Sequence, residues 1–205
     1  AEKPFADTEE LVGCTSCLAG AFLTTGQYDQ ALEYYQKTLT NVLNRLGSDH
    51  PQAAQCYNHI GTAYHGNSEY EHALENYTKA LDINLNHLDS DHVNLASNYC
   101  NIGAVHDMMV NHDEALKYME RSAAITIKHL GPAHPDLVPI YCNIGLANTH
   151  LDDHSRALEY LHKALDIQIK DKGPEHLELA QIYKNLGGTH ADKDEHDKAL
   201  EYYQK

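Results

Sequence analysis

Apolar positions recur along this chain at intervals of three and four. Leu95, Tyr99, Ile102, Gly103 and His106 form one such series, and Leu74, Tyr77, Leu81, Leu85 and Leu88 form another. That spacing lines one face of a helix. The series also return: Gly61, Gly103, Gly145 and Gly187 stand 42 residues apart. Ala31, Ala73, Ala115, Ala157 and Ala199 keep the same interval, each followed by a leucine, as do Tyr57, Tyr99, Tyr141 and Tyr183, and His50, His92, His134 and His176. Registers in phase at one period predict a solenoid of repeated units. Each unit reads as two helices separated by short polar stretches such as Gly66-Asn67-Ser68-Glu69 and Asn111-His112-Asp113.

Five units can be placed, at roughly 7–47, 48–89, 90–131, 132–173 and 174–205, forming a single array over residues 1–205. The last is incomplete, because its second helix begins near His196 and meets the end of the chain at Lys205. Terminal units of solenoids normally carry polar capping surfaces. Further repeats or a capping helix are therefore expected, and a first residue other than Met also reads as a fragment. Gly suits the left-handed residue that ends a helix and Pro the first turn of the next, as in Leu130-Gly131-Pro132-Ala133-His134-Pro135. Ser48, Asp49, Ser90 and Asp91 are N-cap candidates. Glycine within a helix costs about 1 kcal/mol relative to alanine, so its periodic return implies a close helix crossing. The small residues expected opposite it are those of the Ala73 class and Ala80 or Ala164.

Aromatic, Ile or Leu, then Gly on the first helix (Tyr99, Ile102, Gly103; Tyr141, Ile144, Gly145; Tyr183, Leu186, Gly187), with Ala73, Tyr77 and Ala80 on the second, resembles the tetratricopeptide signature. The usual period is about 34. A 42-residue version with a Leu-Gly-x-x-His-Pro linker, as at Leu46 to Pro51 and Leu130 to Pro135, is similar to kinesin light chain, nephrocystin-3 and the sensor arrays of some signalling ATPases. HEAT and armadillo units and propeller blades have comparable periods. A blade needs alternating strands, however, and HEAT units do not require the paired small residues. The resemblance implies an all-α, right-handed superhelical solenoid of antiparallel helix pairs whose first helices line a concave groove.

It also implies a site. In the family, an asparagine two residues before the glycine often bonds the backbone of an extended peptide. Asn101, Asn143 and Asn185 hold that place here, with His59 and Cys17 replacing it in the second and first units. An amide offers a donor and an acceptor, matching the two unpaired groups of an extended residue. The alternative, that these amides bond a neighbouring helix, stays open. Further groove positions implied are Asn58, Cys100, Cys142 and Lys184; Thr62, Ala104, Leu146 and Gly188; and His65, Asp107, Thr149 and Ala191. Lys184 is the one full positive charge among them. Family members that hold terminal carboxylates or acidic cargo motifs use basic grooves, so an apolar or basic segment fits better unless His59 and His65 supply charge.

Composition narrows the partner. Lys and Arg total 15 against 30 Asp and Glu, a formal charge of -15, which disfavours nucleic acid and anionic lipid. Five cysteines in 205 residues fit a reducing, cytoplasmic setting better than a disulfide framework. Neither a bilayer-spanning apolar run nor a signal-peptide pattern is present in the sequence. Cys14-x-x-Cys17 lies in a predicted helix without the strand-to-helix setting of redox chemistry, so the cysteines read as small packing residues. No phosphate loop, nucleophile with a supporting His and acid, cofactor motif or metal-ligand spacing appears, and no enzyme is expected.

Of the 16 histidines, the linker series and those at aromatic positions (His106, His190, His65) read as packing and capping. A pH-sensitive array is conceivable, and flat thermal stability between about pH 6 and 8 would contradict it. Asn76-Tyr77-Thr78 is a chance glycosylation match, and Glu33 with Lys37 or Glu159 with Lys163 are solvated i, i+4 pairs. The function read from the chain is a protein-interaction module, an adaptor or scaffold binding a segment in its groove. The alternative is a structural or regulatory array that self-associates through its ends or packs on another domain of the same polypeptide.

Overall fold

A computed structural model describes the backbone over residues 6–205 and the side chains over 15–205. The described residues form ten α-helices and no strand: α1 (Ala6–Thr24), α2 (Tyr28–Leu46), α3 (Pro51–Gly66), α4 (Tyr70–His87), α5 (Leu95–Met108), α6 (His112–Leu130), α7 (Leu137–His150), α8 (His154–Lys172), α9 (Leu179–Asp192) and α10 (His196–Tyr203). Consecutive helices pair as five hairpins, one in each predicted unit. The chain divides into two compact units between Ser90 and Asp91. The first holds α1 to α4 and the second α5 to α10.

In the first unit Ala19, Ala31, Leu32, Tyr35, Ile60 and Ala63 close around α1 to α3, and Val42, Ala53, Ala54, Cys56, Ala80 and Ile83 join α2 to α4. In the second a core runs from Leu116 and Met119 through Leu137, Ile144 and Leu161 to Leu179 and Leu186. Each such side chain contributes about 1.5–3 kcal/mol when taken fully out of water.

The periodic glycines mark the tightest contacts. A Cβ on Gly103 would lie 2.7 Å from Met119 Cγ and 3.0 Å from the Ala115 carbonyl oxygen, and one on Gly145 would meet Leu161 Cγ at 2.7 Å and the Ala157 oxygen at 3.3 Å. Gly61 faces the Tyr77 ring and Gly187 the Tyr203 ring in the same way. So Ala115 and Ala157, of the Ala73 class, face their glycines through the backbone, while at each of the four glycines the larger side chain one turn on lies across it. Ala80 and Ala164 are fully buried farther along the second helices.

The helix ends correct one expectation. Ser48, Asp49, Ser90 and Asp91 are not the N-caps. His50 caps α3, its Nδ1 accepting from the Gln52 N–H at 3.2 Å. His92, His134 and His176 accept likewise from Asn94, Asp136 and Glu178. A ring nitrogen two residues upstream reaches the donor that a short cap would otherwise take. Asp49 and Asp91 serve instead as anchors: His87 and His129 bond their backbone oxygens, and Asn86 and Lys128 their carboxylates.

Pro51 opens α3 as expected, whereas Pro135 sits in the turn before α7. Gly47, Gly131 and Gly173 close α2, α6 and α8 at φ 89°, 93° and 90° with ψ near 170°, 164° and 165°. That backbone region is open essentially only to glycine. Within each hairpin the turn also needs positive φ, met by Gly26 and then by Ser68, Val110, Asp152 and Asp194.

Candidate functional site

The predicted groove residues separate into distinct environments. Asn101 on α5 and Asn143 on α7, one repeat apart, line the same cavity of about 480 Å³ in the second unit. Both are half-buried. The Asn101 amide makes no hydrogen bond to another described residue, and Asn143 Nδ2 donates to Cys100 Sγ at 3.6 Å. Val93, Ala96, Cys100, Leu130, Pro139 and Ile140 supply apolar wall, and Ser97, Thr126 and Asn94 add neutral polar groups. Asp136 is the cavity's one charged residue. Ligand sites with this makeup, mostly apolar with a few placed polar groups, fix orientation through the polar groups.

Asn185 differs. It is 8% exposed, its Oδ1 accepts from Gln181 Nε2 at 2.9 Å, and its backbone oxygen accepts from Thr189. Lys184 is exposed on α9. Asp107 is 5% exposed and its carboxylate Oδ1 takes His112 Nδ1 at 2.6 Å and His150 Nδ1 at 3.1 Å. The two rings lie 4.9 Å apart. Ligand atoms of these three side chains fall within 4.8 Å of one another. Neither histidine was singled out in the sequence, because the three residues come from α5, α6 and α7 and form no local motif.

Asn58, His59 and His65 belong to the first unit. His59 stacks on Tyr35 with centroids 4.9 Å apart. His65 sits 5.8 Å from the Tyr70 ring, and its Nε2 is buried without a hydrogen-bond partner. Loss of water lowers the pKa of both rings below the usual histidine value. They are therefore neutral at pH 7 and leave the first unit's groove positions without the charge an acidic peptide would need.

Cys56, Cys100 and Cys142 behave as packing residues. Burial pushes Cys56 up to about 11 and Cys142 up to about 12, and it raises Cys100 against the opposing bond from Asn143. A thiol held protonated is a poor nucleophile. Cys17 is exposed, and the side chain of Cys14 lies outside the described residues. His106 stacks on Tyr118 and His190 on Tyr202, each pair 5.4 Å apart and 7° from parallel, as the aromatic register predicts. The exposed pairs Glu33 with Lys37 and Glu159 with Lys163 form as expected.

Helix hairpins of this kind, with an open cavity between successive first helices, define a protein-interaction repeat scaffold. The tetratricopeptide repeat model matches residues 11–86, 94–170 and 136–205, and the chain belongs to that family. No curated protein is significantly similar in sequence. Among solved structures, a set of nearly identical TPR-like repeats from Podosopora anserina, named after kinesin light chain, is similar with a TM-score of 0.76 at 21% identity, over 94% of this chain and 92% of that one. BtubC (BKLC) from P. vanneervenii is similar with a TM-score of 0.79 at 20% identity, over 95% and 78%. MamA from Desulfovibrio magneticus RS-1 is similar with a TM-score of 0.63 at 20% identity, over 94% and 91%. The repeat fold is thus of the kinesin light chain-like class, generally a non-catalytic module. Among the described residues no helix is long and apolar enough to cross a membrane.

Proposed function

We propose that this protein is a cytoplasmic adaptor that binds an extended protein segment in the cavity between α5 and α7, with Asn101 and Asn143 bonding the segment's main chain. The observation that carries this reading is the convergence of two half-buried amides, one repeat apart, on one apolar-walled cavity. Each amide can serve one residue's N–H and C=O, and the apolar wall takes side chains between them. Asp136 and the formal charge of -15 favour an apolar segment flanked by Lys or Arg over an acidic one.

Selection from a displayed library of short random peptides tests the reading. Enrichment of apolar and basic residues is expected, together with loss of retention by an Asn101→Ala, Asn143→Ala variant whose helicity is unchanged by circular dichroism. Enrichment of acidic sequences, or retention by the double variant, would contradict it. Concentration-dependent self-association in sedimentation, with no peptide selected, would favour an assembly role instead.

A further inference from the structure

We infer that Asp107, His112 and His150 form a binding site for one divalent transition ion of the zinc type. Asp107 is the last residue but one of α5, His112 is the first residue of α6 and His150 the last of α7. Three helix ends of the second unit therefore present an oxygen and two imidazole nitrogens to one point. The Nδ1 atoms approach a single carboxylate oxygen at 2.6 and 3.1 Å. Zinc bonded at about 2.0–2.2 Å to each in tetrahedral geometry needs its ligands about 3.3 Å apart, a spacing that both carboxylate–imidazole pairs reach by sub-ångström spreading. Two imidazoles and one carboxylate suit borderline first-row ions, whereas magnesium and calcium prefer all-oxygen shells.

The donor set is peculiar to this junction. The Asp107 register carries His65, Thr149 and Ala191 elsewhere, and the His150 register carries Gly66, Met108 and Asp192. A buried carboxylate is costly and calls for a specific partner. His112 and Leu151 also line a solvent-open depression with Asn111, Asp113 and Glu114. That depression gives the ion an entry path, a place for a coordinating water and an acidic surround that attracts cations. Bound there, the ion would tie α5, α6 and α7 together and stiffen the junction of the third and fourth repeats.

Calorimetric titration of the whole chain with zinc chloride tests this, alongside His150→Ala and the near-isosteric Asp107→Asn. His150 is exposed at a helix end, so its removal leaves the core intact. The expected result is one equivalent bound by the parent chain, with a raised melting temperature and a cobalt(II) spectrum of nitrogen and oxygen ligation. Both variants should weaken the binding by at least about tenfold, the loss seen even when outer partners of a metal ligand are removed, and should abolish the thermal shift. His129→Ala, at a surface histidine away from the cluster, should bind as the parent does. No binding by the parent, equal binding by the parent and both variants, or a loss in His129→Ala as large as theirs, would overturn the site.

Discussion

Two successive junctions of the second unit share one packing and differ in chemistry. Where α5 and α6 meet α7, Gly103 lies under Met119, Asp107 is buried against His112 and His150, and Asn101 and Asn143 face one cavity. One repeat later Gly145 lies under Leu161 in the same manner, yet Thr149 replaces Asp107 and bonds Thr189 at 3.0 Å. His154, in the register of His112, keeps a buried Nδ1 without a partner, and Asn185 is covered and engaged by Gln181. The repeat therefore dictates backbone approach and leaves the polar positions between helices free to vary. Those positions decide what each junction can hold.

The shared part should be the costliest to break. Gly103→Val and Gly145→Val each force a side chain into a contact already under 3 Å at its Cβ. Overpacking of this kind costs about 1–3 kcal/mol, and both variants should fall at the upper end in urea unfolding. A marked inequality between them would show that the two crossings are not equivalent.

The divergent part should give unequal losses. Asp107→Ala leaves two half-satisfied rings and should cost about 2 kcal/mol, while Thr149→Ala removes one hydroxyl pair and should cost about 1 kcal/mol. Equal losses would erase the distinction drawn between the junctions.

The hairpin turns of the two repeats differ in the other direction. Val110 is a β-branched residue at φ 64° with 74% of its surface exposed, whereas Asp152 fills the same turn at φ 57°. A left-handed conformation costs such a residue about 1–2 kcal/mol. Val110→Asn should therefore stabilise by about 1 kcal/mol, and Asp152→Asn should change little, within about 0.5 kcal/mol.

The smallest effect is set by pH. Hydrogen bonds from Lys198, Lys193 and His190 hold the Glu195 carboxyl down to about 2, against an ordinary value of 4.5. A depressed carboxyl stabilises the fold above its unfolded value and loses that contribution as pH falls through the folded one. Glu195→Gln should accordingly lower the melting temperature slightly at pH 7, with the difference fading between about 4.5 and 2.

The sequence carried the helix pairs and the crossing glycines because these depend on spacing alone. Gly103, Ala115 and Leu116 report a buried face through a period that any one unit repeats. The linker caps were misread because Ser and Asp are the usual N-caps, whereas here the imidazoles of His50 and its counterparts reach the same donors. Among the site residues, the shared register of Asn101 and Asn143 could be read from sequence. The covering of Asn185 by Gln181 depends on a rotamer within α9 and could not. Nor could the meeting of Asp107 with His150, which requires the twist that brings the end of α7 beside α5.

In the proposed complex Asn101 and Asn143 hold a peptide main chain. Calorimetric titration with a selected peptide should compare the parent chain, Asn101→Ala with Asn143→Ala, and Asn185→Ala. A loss of about 2 kcal/mol or more is expected for the pair, from two amides that each contribute about 1 kcal/mol, and near-parent affinity for Asn185→Ala. Full affinity in the double variant, or an equal loss in Asn185→Ala, would contradict it.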